Sequence, residues 1–570
     1  AARRQTEAED LTVWTRLLPA TAFRGAFSTA EGRYLFGERE GAFEVLAWGA
    51  VEESLPNTEH AGEVVATHLA HLPHPRRVLV LGGGALAVAE RFTEVPGVEE
   101  VVWLHSDPAY PRALLDVLGP ERRARAAGLT VPGVGVREVL DRARAPFDIV
   151  VLDLPDVTTL ALNRYASREF LTRLRGALAE DGVVSLRVAG GENHLSGEMA
   201  LLGASAWATL GEVFEHRTLK PGEETWMLAS PARELDSPAA ELAARYAAIE
   251  GADAIYPADA VASLFPADRI AFQVARYEAV AQRDGRALLE NTDAEPKALL
   301  YTMAGSLHRA GRRDVAEDLV VLLDVGRWIL LGGLLILALL HLVHALGPRG
   351  GGARTEAAPE DGGLLVLTAG LAVMAVGVVL LFRYQGRFGS LYLEIGLLSA
   401  FTMLGLFLGG WGATRLLAAR PDEPRAFLPL LVLAFAALLG AIAVGSASVP
   451  RAVLAAFFLL VGLVGGAFFP LGARRMEAAG RDAAEAGARL EWVDHLGGAA
   501  GALLAGLVLL PLFGATFALV VCALLVATNL VPRLVPASRR RALLPSGAGR
   551  APVPVGGLVL AGVAAWGLLG

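Results

Sequence analysis

The sequence predicts a chain in two parts. The first is an α/β Rossmann-like soluble domain with a small N-terminal β element. The second is an all-α polytopic membrane domain of about eight helices. Three observations predict this. Continuous apolar runs such as Arg77-Val78-Leu79-Val80-Leu81 and Phe147-Asp148-Ile149-Val150-Val151-Leu152 alternate with helical patterning, as in a parallel doubly wound sheet. Beyond residue 326, apolar runs near the roughly 20 residues that a bilayer crossing needs recur to the end of the chain. Of the 570 residues, 54% are hydrophobic and 19% charged, below the ~25% charge of ordinary soluble proteins. This composition excludes intrinsic disorder. The single cysteine, Cys522, excludes a disulfide framework and a cysteine zinc site. A net charge of −8 excludes a nucleic-acid footprint.

The elements follow in order. The opening Ala1-Ala2-Arg3-Arg4-Gln5 has no apolar stretch of the signal-peptide kind. Residues 22–52 alternate apolar and polar, punctuated by Gly32, Gly37, Gly41 and Gly49, which predicts antiparallel strands. Residues 59–73 read as a helix. Strands are expected at 77–81, 101–104, 147–152 and 183–186, the last entered through an Asp181-Gly182 turn, with a helix from about Ala85 to Phe92. The domains drawn from this pattern are 1–75 (β element and linker helix), 76–232 (Rossmann-type domain), 233–322 (helical connector) and 323–570 (membrane domain). The eight apolar runs fall at 326–346, 363–382, 389–410, 427–447, 452–471, 494–512, 514–532 and 553–570.

In doubly wound sheets ligands bind at the carboxyl ends of the strands. Gly82, Gly83, Gly84, His105, Asp107, Asp153 and Asp156 all fall there. The glycines allow close approach of a ligand to a helix N-terminus, or simply a tight strand–helix turn. His105 and Asp107, two apart, share a side for ribose hydroxyls, or Asp107-Pro108 caps a helix. Asp153 and Asp156 suit a cationic amine that must lose a proton, or Asp156 caps the next helix.

The runs Pro75-Arg76-Arg77 through Gly84, Asp107-Pro108, Phe147 through Asp156, Leu162-Asn163-Arg164-Tyr165-Ala166-Ser167-Arg168-Glu169-Phe170 and Leu178-Ala179-Glu180-Asp181-Gly182-Val183 resemble the spermidine synthase family. With Phe401–Gly409 and Asp494–Gly501, the chain is similar to the membrane-fused, spermidine-synthase-like proteins of bacteria. The resemblance implies a methyltransferase-type (SAM-methyltransferase-type) Rossmann fold. It also implies aminopropyl transfer from decarboxylated S-adenosylmethionine to a polyamine, with methylthioadenosine as product, no tightly bound cofactor and no metal. Carried over, Asp153 receives the amine proton and Asp156 lies beside the substrate. Gly82–Gly84, His105 and Asp107 face the nucleoside, and Glu63 and Tyr165 bind the acceptor. The chain departs from the family at four places: Ala85 replaces an Asp, His105 the ribose-binding Glu, Val136 an adenine-side Asp, and Ala61-Gly62 the Tyr-His that precedes Glu63.

Arginines concentrate in the loops expected on the side opposite the soluble domain. The positive-inside rule places those loops in the cytoplasm of a bacterial inner membrane and the soluble domain outside. The lipid bilayer is one expected partner, and a polyamine or nucleoside, further membrane proteins or a second copy are others. His68, His71 and His74 are spaced for packing or for a metal. His341, His344, Glu394 and Asp494 lie at or within membrane depth, where ionisable groups are costly. Three readings follow. The chain is an aminopropyltransferase-like enzyme, a catalytically degenerate ligand- or partner-binding domain on a membrane scaffold, or a transporter-like protein with a regulatory soluble domain.

Overall fold

The computed structural model describes residues 2–29, 31–47, 49–191, 194–285, 289–312, 326, 328–342, 359–388, 394–419, 426–445, 450–478 and 480–534. The described residues form two compact units, divided after Met303.

The first unit opens with a four-stranded antiparallel sheet in sequential order, β1 (Phe23–Ser28), β2 (Arg33–Arg39), β3 (Ala42–Ala47) and β4 (Ala50–Leu55). Helix α1 (Thr58–His71) then leads into a seven-stranded sheet. Its strands are β5 (Arg77–Leu81), β6 (Glu100–Leu104), β7 (Leu129–Thr130), β8 (Phe147–Leu152), β9 (Leu178–Ala189), β10 (His216–Lys220) and β11 (Glu224–Ser230). They are ordered β10-β11-β9-β8-β5-β6-β7. Neighbouring strands from β7 to β9 run parallel, and their apolar runs are buried on both faces. The sheet is mixed, however, because β10 and β11 form an antiparallel hairpin beside β9. The expected turn at Asp181-Gly182 is instead an irregularity within β9. Phe147 pairs with Leu178 but Ile149 pairs with Val183, so residues 179–182 are accommodated without ending the strand. Helices α2 (Leu86–Thr93) and α3 (Tyr110–Val117) follow β5 and β6. Residues Leu235 to Phe265, expected in a connector, pack into the same core as α1 and the parallel strands. His68 and His71 belong to that packing. Each is buried and donates Nδ1–H to the carbonyl one turn back in α1.

The second unit is helical: α4 (Pro359–Phe388), α5 (Glu394–Ala418), α6 (Phe427–Gly445), α7 (Arg451–Gly466), α8 (Ala483–Leu504) and α9 (Gly514–Ala527). Five stretches, Gly362–Phe388, Glu394–Ala418, Phe427–Gly445, Arg451–Ala478 and Ala483–Arg533, are long and apolar enough to cross a membrane. Eight separate spans are therefore not reached among the described residues. The run 553–570 and His344 lie outside them, and Trp328–Leu342 is a shorter apolar helix. The 51-residue stretch Ala483–Arg533 carries the two expected runs 494–512 and 514–532. It is bent back at Gly514, whose φ is +78°. Asn529 Nδ2 donates to Thr368 Oγ1 at 2.8 Å, whereas Thr516 lies at Arg383, fifteen residues further along α4. So α9 runs antiparallel to α4, and α8, whose Gly497 and Gly501 meet Leu367 and Leu371 in turn, runs parallel to it.

Small residues set the crossings. A Cβ on Gly405 or Gly409 of α5 would lie 2.2 or 1.9 Å from the carbonyl oxygens of Leu459 or Leu463 in α7. Gly462 and Gly466 meet α5 reciprocally, so four glycines bring two backbones into contact. The outer stripe of α5 (Met403, Phe407 and Trp411, spaced by four) is exposed. Glu394, expected within a span, begins α5 and pairs at 3.3 Å with Arg451, which begins α7.

Candidate functional site

The parallel strands deliver their carboxyl ends to one edge of the sheet, and the turn after β5 is built for contact. A Cβ on Gly82 would lie 1.8 Å from the carbonyl oxygen of Asp153, so only glycine lets β5 leave the sheet beside β8. Gly84 has a φ of +74°, which reverses the chain into α2. The middle glycine is covered from within, since a Cβ on Gly83 would lie 2.0 Å from Oε1 of Glu52.

Glu52 reaches this point because β4 bulges. Val45 pairs with Glu53 and Leu46 with Val51, leaving Glu52 as the extra residue, turned out of the ladder toward the glycines. His105, at the end of β6, holds it there. The Asp107 amide donates to His105 Nδ1 at 3.0 Å, so the ring proton sits on Nε2 and donates to Glu52 Oε1 at 2.7 Å. The imidazole stacks on Tyr110 with centroids 4.2 Å apart. Glu53 faces inward with Leu55 and is 1% exposed. Among the described residues no group makes a well-formed hydrogen bond to either of its oxygens, and the Leu86 amide makes at most a loose contact. Burial, and then the neighbouring Glu52, hold its carboxyl well above the usual range, against the opposing Leu86 amide at the start of α2.

Asp107 is fully engaged. It accepts from Thr29 Oγ1 at 2.6 Å, Tyr34 hydroxyl at 2.8 Å and the Ala109 amide at 3.0 Å, tying the β1–β2 hairpin to the sheet edge. Asp153 is 2% exposed at the end of β8. Arg187 Nε of β9 lies 3.0 Å from its Oδ1, and His60 Nε2 of α1 lies 3.3 Å from its Oδ2. Burial opposes a charged imidazole, yet the Asp153 carboxylate outweighs it and holds His60 above its usual range. Arg187 also pairs with Glu224. Asp156 accepts from the Ala189 amide at 2.9 Å. Tyr165, buried against Phe170, lines with Asp156 and Arg187 a cavity of about 30 Å³. Glu63 stands apart from this group in an ion pair with buried Lys220. No cluster of three or more His, Cys, Asp or Glu suited to a metal occurs among the described residues.

The glycine turn, His105, Asp107, Asp153 and Asp156 thus share one edge, and Tyr165 joins Asp156 at the cavity. The sequence reading missed Glu52, Glu53, His60 and Arg187. A signal for the first two was present. Adjacent acids in an alternating strand cannot both face solvent. Arg187 faces Asp153 only through the β8–β9 register, in which Leu152 pairs with Leu186.

No family model matches the chain. Polyamine aminopropyltransferase 2 of Streptomyces coelicolor is 34% identical over 115 residues, 19% of this chain and 21% of its own length. The polyamine aminopropyltransferase of Mycobacterium tuberculosis is 36% identical over 119 residues, 19% of this chain and 22% of its own length. The matched stretch spans about a fifth of the length of these curated relatives. Among solved structures, a spermidine synthase in complex with the transition-state analogue AdoDATO gives a TM-score of 0.35 at 16% identity, covering 45% of this chain and 88% of that one. Spermidine synthase from Thermotoga maritima gives 0.34 at 15% identity, covering 45% and 87%. The N-terminal region is homologous to the spermidine synthases, the polyamine aminopropyltransferases, and helical apolar segments follow it.

Proposed function

We propose that the chain is an aminopropyltransferase-like protein held in a membrane by its apolar helices, and that its soluble domain binds a ligand without transferring an aminopropyl group. One observation carries this reading: the Asp153 carboxylate is occupied by Arg187 on one oxygen and His60 on the other. An acceptor amine at Asp153 would share that carboxylate with a guanidinium, and two unit charges 4 to 5 Å apart repel by roughly 3–4 kcal/mol at an effective dielectric near 20. The glycine turn that would approach a nucleoside is covered by Glu52. The exposed apolar stripe of α5 and the glycine-mediated crossings support insertion in a bilayer, with lipid as the covering partner. Decarboxylated S-adenosylmethionine and methylthioadenosine are the nucleosides to test, neither as a tightly bound cofactor.

The test is methylthioadenosine release by the full chain in lipid nanodiscs, supplied with decarboxylated S-adenosylmethionine and putrescine. No release above the protein-free control is expected. Turnover that disappears with Asp153→Asn would overturn the reading and establish the alternative, an active transferase. That alternative is favoured by the retention of Asp153 and Asp156 at the strand ends.

A further inference from the structure

Arg164 is 9% exposed, at the same edge of the sheet as the glycine turn. Its guanidinium lies over the ring of Tyr165, with Cζ 5.0 Å from the centroid. It makes no ion pair and no side-chain hydrogen bond with any described residue, and its Nε is fully buried without a partner. Glu31 senses it electrostatically, and the two form no ion pair. Burial, and then Asp107, push the Glu31 carboxyl up to about 7, and Arg164 and His105 pull it down only in part. Near neutral pH Glu31 therefore carries only a fractional charge beside Arg164. Asp107 accepts instead from Thr29, Tyr34 and the Ala109 amide. The other arginine around Tyr165, Arg137, has its own partner in Asp293 at 3.0 Å.

A buried donor without a partner is costly, and native proteins rarely leave one unanswered. The planar fork of a guanidinium matches a carboxylate in a bidentate geometry. A guanidinium without an ion-pair partner disfavours a dicationic ligand. Resting on the reading that this edge binds rather than transfers, we infer that its ligand is a small carboxylate-bearing molecule, received by Arg164, and not a polyamine.

Succinate and putrescine have four-carbon chains and opposite charge, so they separate the alternatives directly. Each is titrated by calorimetry and thermal unfolding into the full chain in nanodiscs, with sodium chloride and inorganic phosphate at matched ionic strength. Succinate is expected to bind saturably and raise the unfolding temperature, and putrescine to do neither. Arg164→Gln is expected to weaken succinate by about tenfold or more, the loss of a charge-assisted pair. It is also expected to raise the ligand-free unfolding temperature, because the buried unpartnered Nε is gone. A guanidinium that only packs on Tyr165 would give a lower temperature instead. Arg164→Lys keeps the charge without the fork and is expected to fall between. Tighter binding of putrescine, an unchanged succinate affinity in Arg164→Gln, or an equal effect of chloride would overturn the inference. Aminopropyl transfer to putrescine would instead remove the reading beneath it, and absence of both transfer and carboxylate binding would remove this inference alone.

Discussion

Substituting His68 by Gln should change how stability responds to acid more than it changes stability at neutral pH. His68 is fully buried, with Nδ1 donating to the Val64 carbonyl at 2.7 Å and Nε2 accepting from Ser185 Oγ at 2.7 Å. Burial outweighs the Val64 hydrogen bond and lowers its pKa from 6.5 to about 4. The unfolded chain therefore binds a proton near pH 6.5 that the folded chain refuses until about pH 4. The stability held by the neutral ring is intact above 6.5 and is lost as the pH falls through that window. At 1.36 kcal/mol per unit over about 2.5 units, the loss is about 3 kcal/mol. At pH 7.5 the variant loses the Ser185 bond and some packing, about 1–3 kcal/mol. The two stability curves should then converge or cross near pH 4.5. The absolute curve is not diagnostic, since Glu31 and Glu90, both raised by burial to about 7, act with the opposite sign. The difference between wild type and variant isolates His68. Urea unfolding of the full chain in detergent, followed by tryptophan fluorescence from pH 4.5 to 7.5, measures it. A difference that stays constant with pH would refute the assignment of His68 as a buried neutral ring.

Glu31→Gln should stabilise the protein above pH 7 and have little effect at pH 5, because a carboxyl raised to about 7 costs stability only once the folded state must ionise it. With the side chain partly solvated, about 1 kcal/mol is expected in the same unfolding assay. Asp107→Asn should cost about 2–4 kcal/mol by leaving the Thr29, Tyr34 and Ala109 donors poorly matched, read as a lower urea midpoint with an unchanged slope. Gly405→Val should destroy the α5–α7 crossing, where even a Cβ lies 2.2 Å from the Leu459 carbonyl oxygen. Gly506→Ala, with open space around it, should leave the thermal transition within about 1 °C, since substitutions away from packing contacts usually change stability by less than 0.5 kcal/mol.

Much of this architecture is legible in the residues because it depends on local patterns. The Val78–Leu81 and Ile149–Leu152 runs announce buried parallel strands, and the apolar runs after residue 360 announce long helices. The β10–β11 hairpin was not legible as such. Its first strand, His216–Lys220, has a single apolar residue, and only the pairing of β10 with β11 and of β11 with β9 fixes the place and direction of the two strands. The irregularity at residues 179–182 hides for a related reason, since Asp-Gly signals a turn that register, not composition, converts into a bulge. At the site, the strand-end residues could be placed from sequence because strand ends converge by topology. Their occupants could not. Glu52 meets Gly83 through a bulge, and Arg187 meets Asp153 through strand register.

The Glu52 carboxylate lying on Gly83 sets a rate as well as a shape. Anything that approaches that backbone must wait for Glu52 to leave His105 and the glycine. A ligand that needs that backbone would find only the open fraction competent, and its observed affinity would be the intrinsic one reduced by that fraction. Association should then saturate at high ligand concentration, at the opening rate of the β4 bulge rather than the rate of encounter. Loosening the latch, as with Glu52→Gln, should raise that ceiling while leaving the intrinsic contacts with the glycine turn unchanged.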